Sequence, residues 1–208
     1  MDSPTRYIHP SNTLTYASLL AGLLAIVTTR EFGSWSLAGA LLAGCALADT
    51  FDGRFARLFG RSEAQQRFGV QLDSLADALT FGLVPVTVLS LLVTFESTAG
   101  RIAWTAAALF YVVAAVTRLG FYDLHHAEHA GFIGLPTTAA GLVWSSAFLA
   151  RPSAEASTAL LLACGLAMVA PLHIPRPNRL GFVAFAAWAV GLMLLHTALL
   201  GTSGGHVR

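Results

Sequence analysis

No lysine occurs in this sequence, so all twelve basic side chains are arginine. Charge of either sign is scarce: 11% of residues are charged against 55% hydrophobic, and the mean hydropathy is +0.66. Those values exclude an ordinary soluble domain and indicate a polytopic membrane protein. The formal net charge is only +1, so nothing in the charge balance argues for a nucleic-acid partner. Cysteine is nearly absent too. Cys45 and Cys164 both lie in apolar runs, where a thiol behaves as a small hydrophobe, and neither a disulfide nor a zinc site is supported. The first apolar run, residues 14–27, lacks a small-residue cleavage site and reads as a first helix rather than a cleaved signal peptide. The missing lysine reads as a compositional bias, although guanidinium groups also suit bidentate contacts with phosphate.

What is present is a series of apolar runs bounded by charge or by Gly and Pro. They predict an all-α, polytopic transmembrane helical bundle, with one membrane domain filling residues 1–208. About seven spans are expected, within a range of six to eight: 12–29, 34–59, 68–95, 101–121, 135–150, 156–172 and 179–200. The arginines sort by side. Arg6, Arg54, Arg57, Arg61, Arg67, Arg118, Arg176 and Arg179 fall on one side, and Arg30, Arg101, Arg151 and Arg208 on the other. The positive-inside rule then makes the N-terminus and the turn after the second span cytoplasmic.

Five of the eleven acidic residues fall within residues 49–77, and four of these are aspartates, Asp49, Asp52, Asp73 and Asp77. On a helix, Asp49, Asp52, Gly53, Ala56 and Arg57 fall at i, i+3, i+4, i+7 and i+8, a single face. Asp73 and Asp77, at i and i+4, share a face of the next helix. An ionised Asp within a membrane helix costs about 2.5–3.5 kcal/mol, so four without compensation would cost roughly 10 kcal/mol, as much as a domain's whole stability. Arg57 alone cannot neutralise four carboxylates. One or two divalent cations with oxygen ligands can, and ligand hardness points to Mg²⁺ or Mn²⁺. The charge pattern of the flanking turn sinks this cluster into the cytoplasmic half of the bilayer.

The pattern D-x-x-D-G-x-x-A-R, from Asp49 to Arg57, followed by G-x-x-x-D-x-x-x-D, from Gly69 to Asp77, resembles the signature of the CDP-alcohol phosphatidyltransferases. These membrane enzymes move a phosphatidyl group from CDP-diacylglycerol to an alcohol and release CMP. The continuation L-D-S-L-A-D, then F-G-L-V-P from Phe81 and F-I-G-L-P from Phe132, is similar to the branch that makes phosphatidylserine. The spacer 58–68 is eleven residues, longer than the family usually has, so the turn is expected to bulge or to carry an extra helical turn.

The resemblance implies roles. Asp49, Asp52 and Asp73 would hold the metal, with Asp77 completing a second metal site or, as the family favours, acting as the base on the acceptor hydroxyl. Arg57 would add a charge-assisted contact. Gly53 and Ala56, small on the acidic face, would admit a cytidine diphosphate, together with Gly69. Residues 9–15 supply Pro10, a cap residue at Asn12 and then apolar periodicity, a good helix start. The family's similar N-x-L-T opening implies that Asn12 and Thr15 also face the nucleotide. Ser18 stands where the branch that uses glycerol phosphate carries Arg. In the serine branch a helix commonly ends with two arginines three positions apart; here the first matches Arg118, the implied acceptor contact, and the second is Phe121. The membrane of a bacterium or archaeon, a cytoplasm-facing site, lipid contacts and a homodimer are also implied.

Several features read otherwise. Gly39, Gly44, Gly131, Gly134 and Gly141 are expected where helices cross closely. Asp123, His125, His126, Glu128 and His129 read as a solvated loop, since the His125 and His129 spacing lacks a third zinc ligand. His173, Arg176 and Arg179 read as a last loop, stiffened by Pro171, Pro175 and Pro177 and suited to lipid headgroups. A cation transporter also places Asp residues on paired helices, but it has no need of Gly53, Ala56 and Arg57 on the same face.

Overall fold

The computed structural model describes residues 3–125, 131–175 and 177–203. Two short 3₁₀ turns, Pro4–Tyr7 and Pro10–Asn12, lead into α1 (Thr13–Phe32). Then come α2 (Trp35–Ala56), α3 (Glu63–Asp77), a π-helical segment (Ala78–Leu83) that runs on into α4 (Val84–Leu92), and α5 (Thr98–His125). A short strand β1 (Gly131–Ile133) precedes α6 (Thr137–Leu149) and α7 (Ala154–Val169); β2 (His173–Pro175) precedes α8 (Arg179–Ser203). Each of the seven expected runs is therefore helical. Four stretches are long and apolar enough to cross a membrane, Pro10–Phe32, Glu63–Leu92, Thr98–Leu124 and Arg179–Gly201. Helix α2 is of comparable length but carries Asp49, Asp52 and Arg54 in its second half, while α6 and α7 are shorter. The protein is a helical integral membrane protein.

Local chemistry sets the helix ends. Gly33 closes α1 in the left-handed region at φ 58°, its N–H donating to the Thr29 carbonyl, and Ser34 caps α2 by accepting from the Leu37 N–H at 3.1 Å. A full capping box of Ser62 and Gln65 starts α3. This explains the long spacer: only residues 57–62 connect α2 to α3, and the rest is wound into additional turns at the start of α3. Asn12 stands at the N-cap of α1 but makes no capping hydrogen bond through its side chain. Ser153 caps α7 through the Ala156 N–H.

The helices pack α1 on α2, α2 on α6 and α8, and α5 on α7. Phe81, Tyr111, Trp144, Phe148, Leu42 and Leu161 form the buried centre. Polar clasps tie the helices where small residues let them approach. Ser18 Oγ donates to the Cys45 carbonyl and Cys45 Sγ to the Ser18 carbonyl, at 3.3 and 3.2 Å. Ser145 Oγ donates to the Gly39 carbonyl at 2.8 Å, and the fully buried His196 bonds to the Ser145 carbonyl at 2.9 Å. Both cysteines are buried and free.

Three expectations need correction. Within a fold that is helical as expected, one short ribbon is added: β1 and β2 pair antiparallel with Phe132 opposite Ile174. The chain around His173 is thus a strand rather than a loop, and Gly131 and Gly134 serve this ribbon rather than a helix crossing. A Cβ on Gly131 would lie 2.6 Å from the Ile174 carbonyl oxygen, and Gly134 takes φ 74°. Helix α5 continues past Arg118 through Asp123 to His125, so these residues are not loop. His126, Glu128, His129, Arg176 and Arg208 lie outside the described residues.

The glycines make a stability prediction. A Cβ at Gly39 would overlap the His196 ring, whereas one at Gly44 would meet only the flexible end of Met193 at 3.8 Å. Gly39→Ala should therefore lower stability by about 1–3 kcal/mol through overpacking, and Gly44→Ala should be near neutral. Thermal melts of the two purified variants in one detergent check this; equal melting temperatures would contradict it.

Candidate active site

The acid cluster forms where α2 and α3 meet. Asp49, Asp52 and Asp73 each offer a carboxylate oxygen within 4.8 Å of the others. The Asp77 carboxyl lies against that of Asp49, and the Asp73 carboxyl against that of Asp52. Hydroxyls from other helices hold the group in place. Thr138 Oγ1 donates to Asp49 at 2.7 Å, Thr15 Oγ1 to Asp52 at 3.2 Å and Thr137 Oγ1 to Asp77 at 3.4 Å. Thr15 comes from α1, and Thr137 and Thr138 from the first turn of α6. Directly after Asp77 the backbone turns π-helical, and the buried Tyr111 hydroxyl donates to the Phe81 carbonyl of that segment at 2.7 Å.

The trio suits a hard divalent cation. Its donors are all carboxylate oxygens, and their 4.8 Å spread matches the reach of one ion whose oxygen ligands sit about 2.0–2.6 Å away. Arg67 pairs with Glu63 at 3.8 Å on the exposed start of α3, away from the trio, and among the described residues no arginine is closed against the three carboxylates.

Cavities open on both sides of the carboxylates. One of about 350 Å³ is lined by Asp49, Asp52, Asp73, Asp77 and Thr138 together with Arg118, Tyr122, Asp123 and Phe132. The other, about 170 Å³, is lined by Asn12, Thr15, Gly53, Ala56, Arg57 and Gly69, with Arg61 beside them. They share Asp52, Val70 and Asp73 as a common wall. The structure thus brings the expected nucleotide-site residues together in the smaller cavity and Arg118 into the larger. A Cβ at Gly53 would meet only Arg57 Nη1, at 3.9 Å, so that glycine faces open space. Asn12, freed from capping, accepts from Ser11 Oγ at 3.2 Å and lies close to Gly69.

Arg118 sits within α5 rather than at its end. It is 7% exposed, its Nε has no hydrogen-bond partner, and its guanidinium lies 5.1 Å from the Tyr122 ring centre and 5.8 Å from that of Phe132. Phe121, three residues on, is exposed and does not line the cavity. A third cavity, also about 350 Å³, is mostly apolar and touches the acid site through Asp49, Phe132, Pro136 and Thr138. It continues past Leu135, Ile174, Phe182 and Phe185.

Sequence reasoning missed Thr137, Thr138, Asp123 and Arg61. The contacts of the first three join segments far apart in the sequence, and no local spacing marks them.

The sequence model of the CDP-alcohol phosphatidyltransferase family matches residues 8–194. A CDP-diacylglycerol--serine O-phosphatidyltransferase of Mycobacterium tuberculosis is 36% identical over 135 residues, 62% of this chain and 44% of that protein. One of Helicobacter pylori is 30% identical over 139 residues, 66% of this chain and 55% of that protein. An archaetidylserine synthase of Methanothermobacter thermautotrophicus is 28% identical over 179 residues, 85% of this chain and 74% of that protein. This chain spans about half the length of the bacterial relatives it matches. Both the acid signature and its surroundings fall inside the matched region, and the chain belongs to the CDP-alcohol phosphatidyltransferase family.

Proposed function

We propose that the protein transfers a phosphatidyl group from CDP-diacylglycerol to the hydroxyl of L-serine, forming phosphatidylserine and releasing CMP. The observation that carries this reading is the pair of cavities that share the Asp52 and Asp73 wall, one rimmed by Arg57 and Arg61 and the other by Arg118. An in-line displacement needs its leaving group and its nucleophile on opposite sides of one phosphorus, which is the arrangement two abutting chambers offer. The names of the relatives support serine as the acceptor.

Asp49, Asp52 and Asp73 would hold Mg²⁺ or Mn²⁺, which when bound neutralises the negative charge of the pyrophosphate. The nucleotide occupies the smaller cavity, where Gly53 and Ala56 leave room and Arg57 meets phosphate oxygens. The diacylglycerol tails lie along the apolar cavity that reaches Asp49. Serine enters the larger cavity with its carboxylate on Arg118. Asp77 takes the proton from the serine hydroxyl as its oxygen bonds to the phosphorus bearing diacylglycerol; the bond from that phosphorus to the bridging oxygen breaks, and CMP leaves with the electron pair. The Thr137 hydroxyl holds the Asp77 carboxylate in place.

The positive-inside pattern supports a cytoplasmic N-terminus and a site open to the cytoplasm in a bacterial or archaeal membrane, with seven helical runs crossing or entering it and residues 1–208 forming one domain. The family resemblance supports a homodimer.

A CMP-release assay with serine, inositol phosphate, glycerol 3-phosphate, ethanolamine and choline side by side tests the acceptor. Serine should be fastest, and Arg118→Ala should raise the KM for serine about tenfold or more while leaving that for CDP-diacylglycerol nearly unchanged. Faster release with any other acceptor sinks the serine assignment.

The carboxylates divide by role. Asp77→Asn should lower turnover at least about 10²-fold without raising the metal concentration needed for half-maximal rate, whereas Asp49→Asn or Asp52→Asn should raise that concentration. Metal titrations of the three variants decide it; near wild-type turnover in Asp77→Asn removes the base assignment.

Gly53→Leu should abolish nucleotide binding with little change in the melting temperature of the unliganded protein, because the added side chain enters open space. Loss of folded protein in step with loss of binding would instead make Gly53 a packing residue.

A further inference from the structure

The π-helical segment Ala78–Leu83 begins directly after Asp77, and the sequence supplies a cause for it at Pro85. Standing in the first turn of α4, Pro85 has no N–H to return to the carbonyl of Phe81, four residues before it, and its ring crowds that carbonyl. The ladder widens there: the Val84 N–H donates to the Leu79 carbonyl, five residues back instead of four. The Phe81 carbonyl receives its hydrogen from another helix. Tyr111, fully buried in the middle of α5, donates its hydroxyl to it at 2.7 Å, and the Tyr111 ring stands edge-on to Trp144 with centroids 6.0 Å apart. Thr80, buried in the same segment, makes no hydrogen bond through its hydroxyl and supplies no substitute. The neighbouring helices make room for the wide turn. A Cβ at Gly141 of α6 would overlap the Phe81 ring, and one at Gly22 of α1 would lie 3.2 Å from Thr80 Cγ2.

A wide turn holds one residue more than an α-helical turn, and one residue is about 100° of rotation. Whether the segment stays wide therefore sets the direction of Asp77 relative to α4, whose Val84, Pro85, Val88 and Leu89 are buried. With the turn wide, the Asp77 carboxyl lies against that of Asp49, lines the larger cavity and sits 3.4 Å from the Thr137 hydroxyl. We propose that Tyr111 is a positioning residue for Asp77: by holding the Phe81 carbonyl, its hydroxyl keeps the turn wide and the carboxylate aimed into the larger cavity. This rests on the reading of Asp77 as the base and extends it to a residue that lines none of the three cavities.

The test is a double-mutant cycle followed by CMP release from CDP-diacylglycerol and serine. Tyr111→Phe keeps the ring and removes only the hydroxyl. It should lower kcat at least about fivefold with less than about a twofold change in the KM of either substrate, since Tyr111 touches neither. In the Asp77→Asn background, where no base remains to be aimed, adding Tyr111→Phe should change the residual kcat by less than about twofold. A hydroxyl that serves packing alone would lower the melting temperature and leave kcat per folded molecule unchanged; that result overturns the proposal. So does a full, additive loss in the Asp77→Asn background, which places the effect elsewhere than on Asp77. If Asp77→Asn alone turns over near the wild-type rate, the base reading itself has failed and this inference falls with it. Should Tyr111→Phe not accumulate as folded protein, Tyr111→Met fills the space without a hydroxyl and is read in the same cycle, where the same loss in kcat, absent in the Asp77→Asn background, is required.

Discussion

The rest of the structure depends on holding carboxylates together that repel one another. At 4.8 Å, two unit charges repel by about 3.5 kcal/mol at an effective dielectric of 20, so the Asp49, Asp52 and Asp73 trio stores roughly 10 kcal/mol before Asp77 is counted. Two threonine hydroxyls reach the trio, from Thr15 and Thr138, and hydrogen bonds to charged groups contribute about 1.5–3 kcal/mol each. They offset about half of the repulsion at most. They orient the oxygens, and a divalent cation is what removes the remainder. That division explains why the hydroxyls come from α1 and α6, the elements flanking the α2 and α3 pair, while no arginine is placed among the acids.

The arginines line the two cavities without pairing directly with the acids, and that separation has a chemical reason. A guanidinium bonded directly to the acids would occupy the oxygens needed for a metal and would hide its own donors from a substrate. Arg118 is kept away by its rings: the Tyr122 and Phe132 faces supply about 0.5–2 kcal/mol of cation–π attraction, enough to hold a buried guanidinium without consuming its N–H donors. Arg57, at the C-cap of α2, is exposed to the smaller cavity, where it also sits favourably against the negative end of the helix.

Much of this was legible in the sequence because it is periodic. Asp49, Asp52, Gly53, Ala56 and Arg57 repeat at helical spacing, so their shared face follows from 3.6 residues per turn, and the apolar runs marked seven helices before any coordinates. Contacts between distant segments leave no such trace. Thr138 meets Asp49 across 89 residues and Asp123 meets Ser74 across 49, and neither threonine nor aspartate in those places disturbs the local pattern. The π-helical segment after Asp77 was invisible for a related reason: the sequence there is ordinary helix-compatible apolar chain, and the register change is sustained by Tyr111, thirty residues on. Asn12 misled in the opposite sense, because its Oδ1 accepts from the Ser11 hydroxyl and makes no capping bond to α1.

The two-stranded ribbon was the largest surprise, and it is also the element that joins the cavities. Its register places Phe132 opposite Ile174, so one short pairing supplies a wall of the acid cavity and a wall of the apolar one. Gly131 permits the close approach of the strands, and Gly134, at φ 74°, turns the chain away into Pro136 and the Thr137–Leu149 helix. A residue with a Cβ at Gly134 would be strained in that turn and would also run into the Met168 carbonyl, so the direction in which α6 departs is fixed by the absence of a side chain. That direction decides where the first turn of α6 begins, and with it the positions of the Thr137 and Thr138 hydroxyls on Asp77 and Asp49. Three residues of strand on each side thus couple the polar and apolar cavities to the geometry of the carboxylates, a constraint that a bundle of helices alone does not impose.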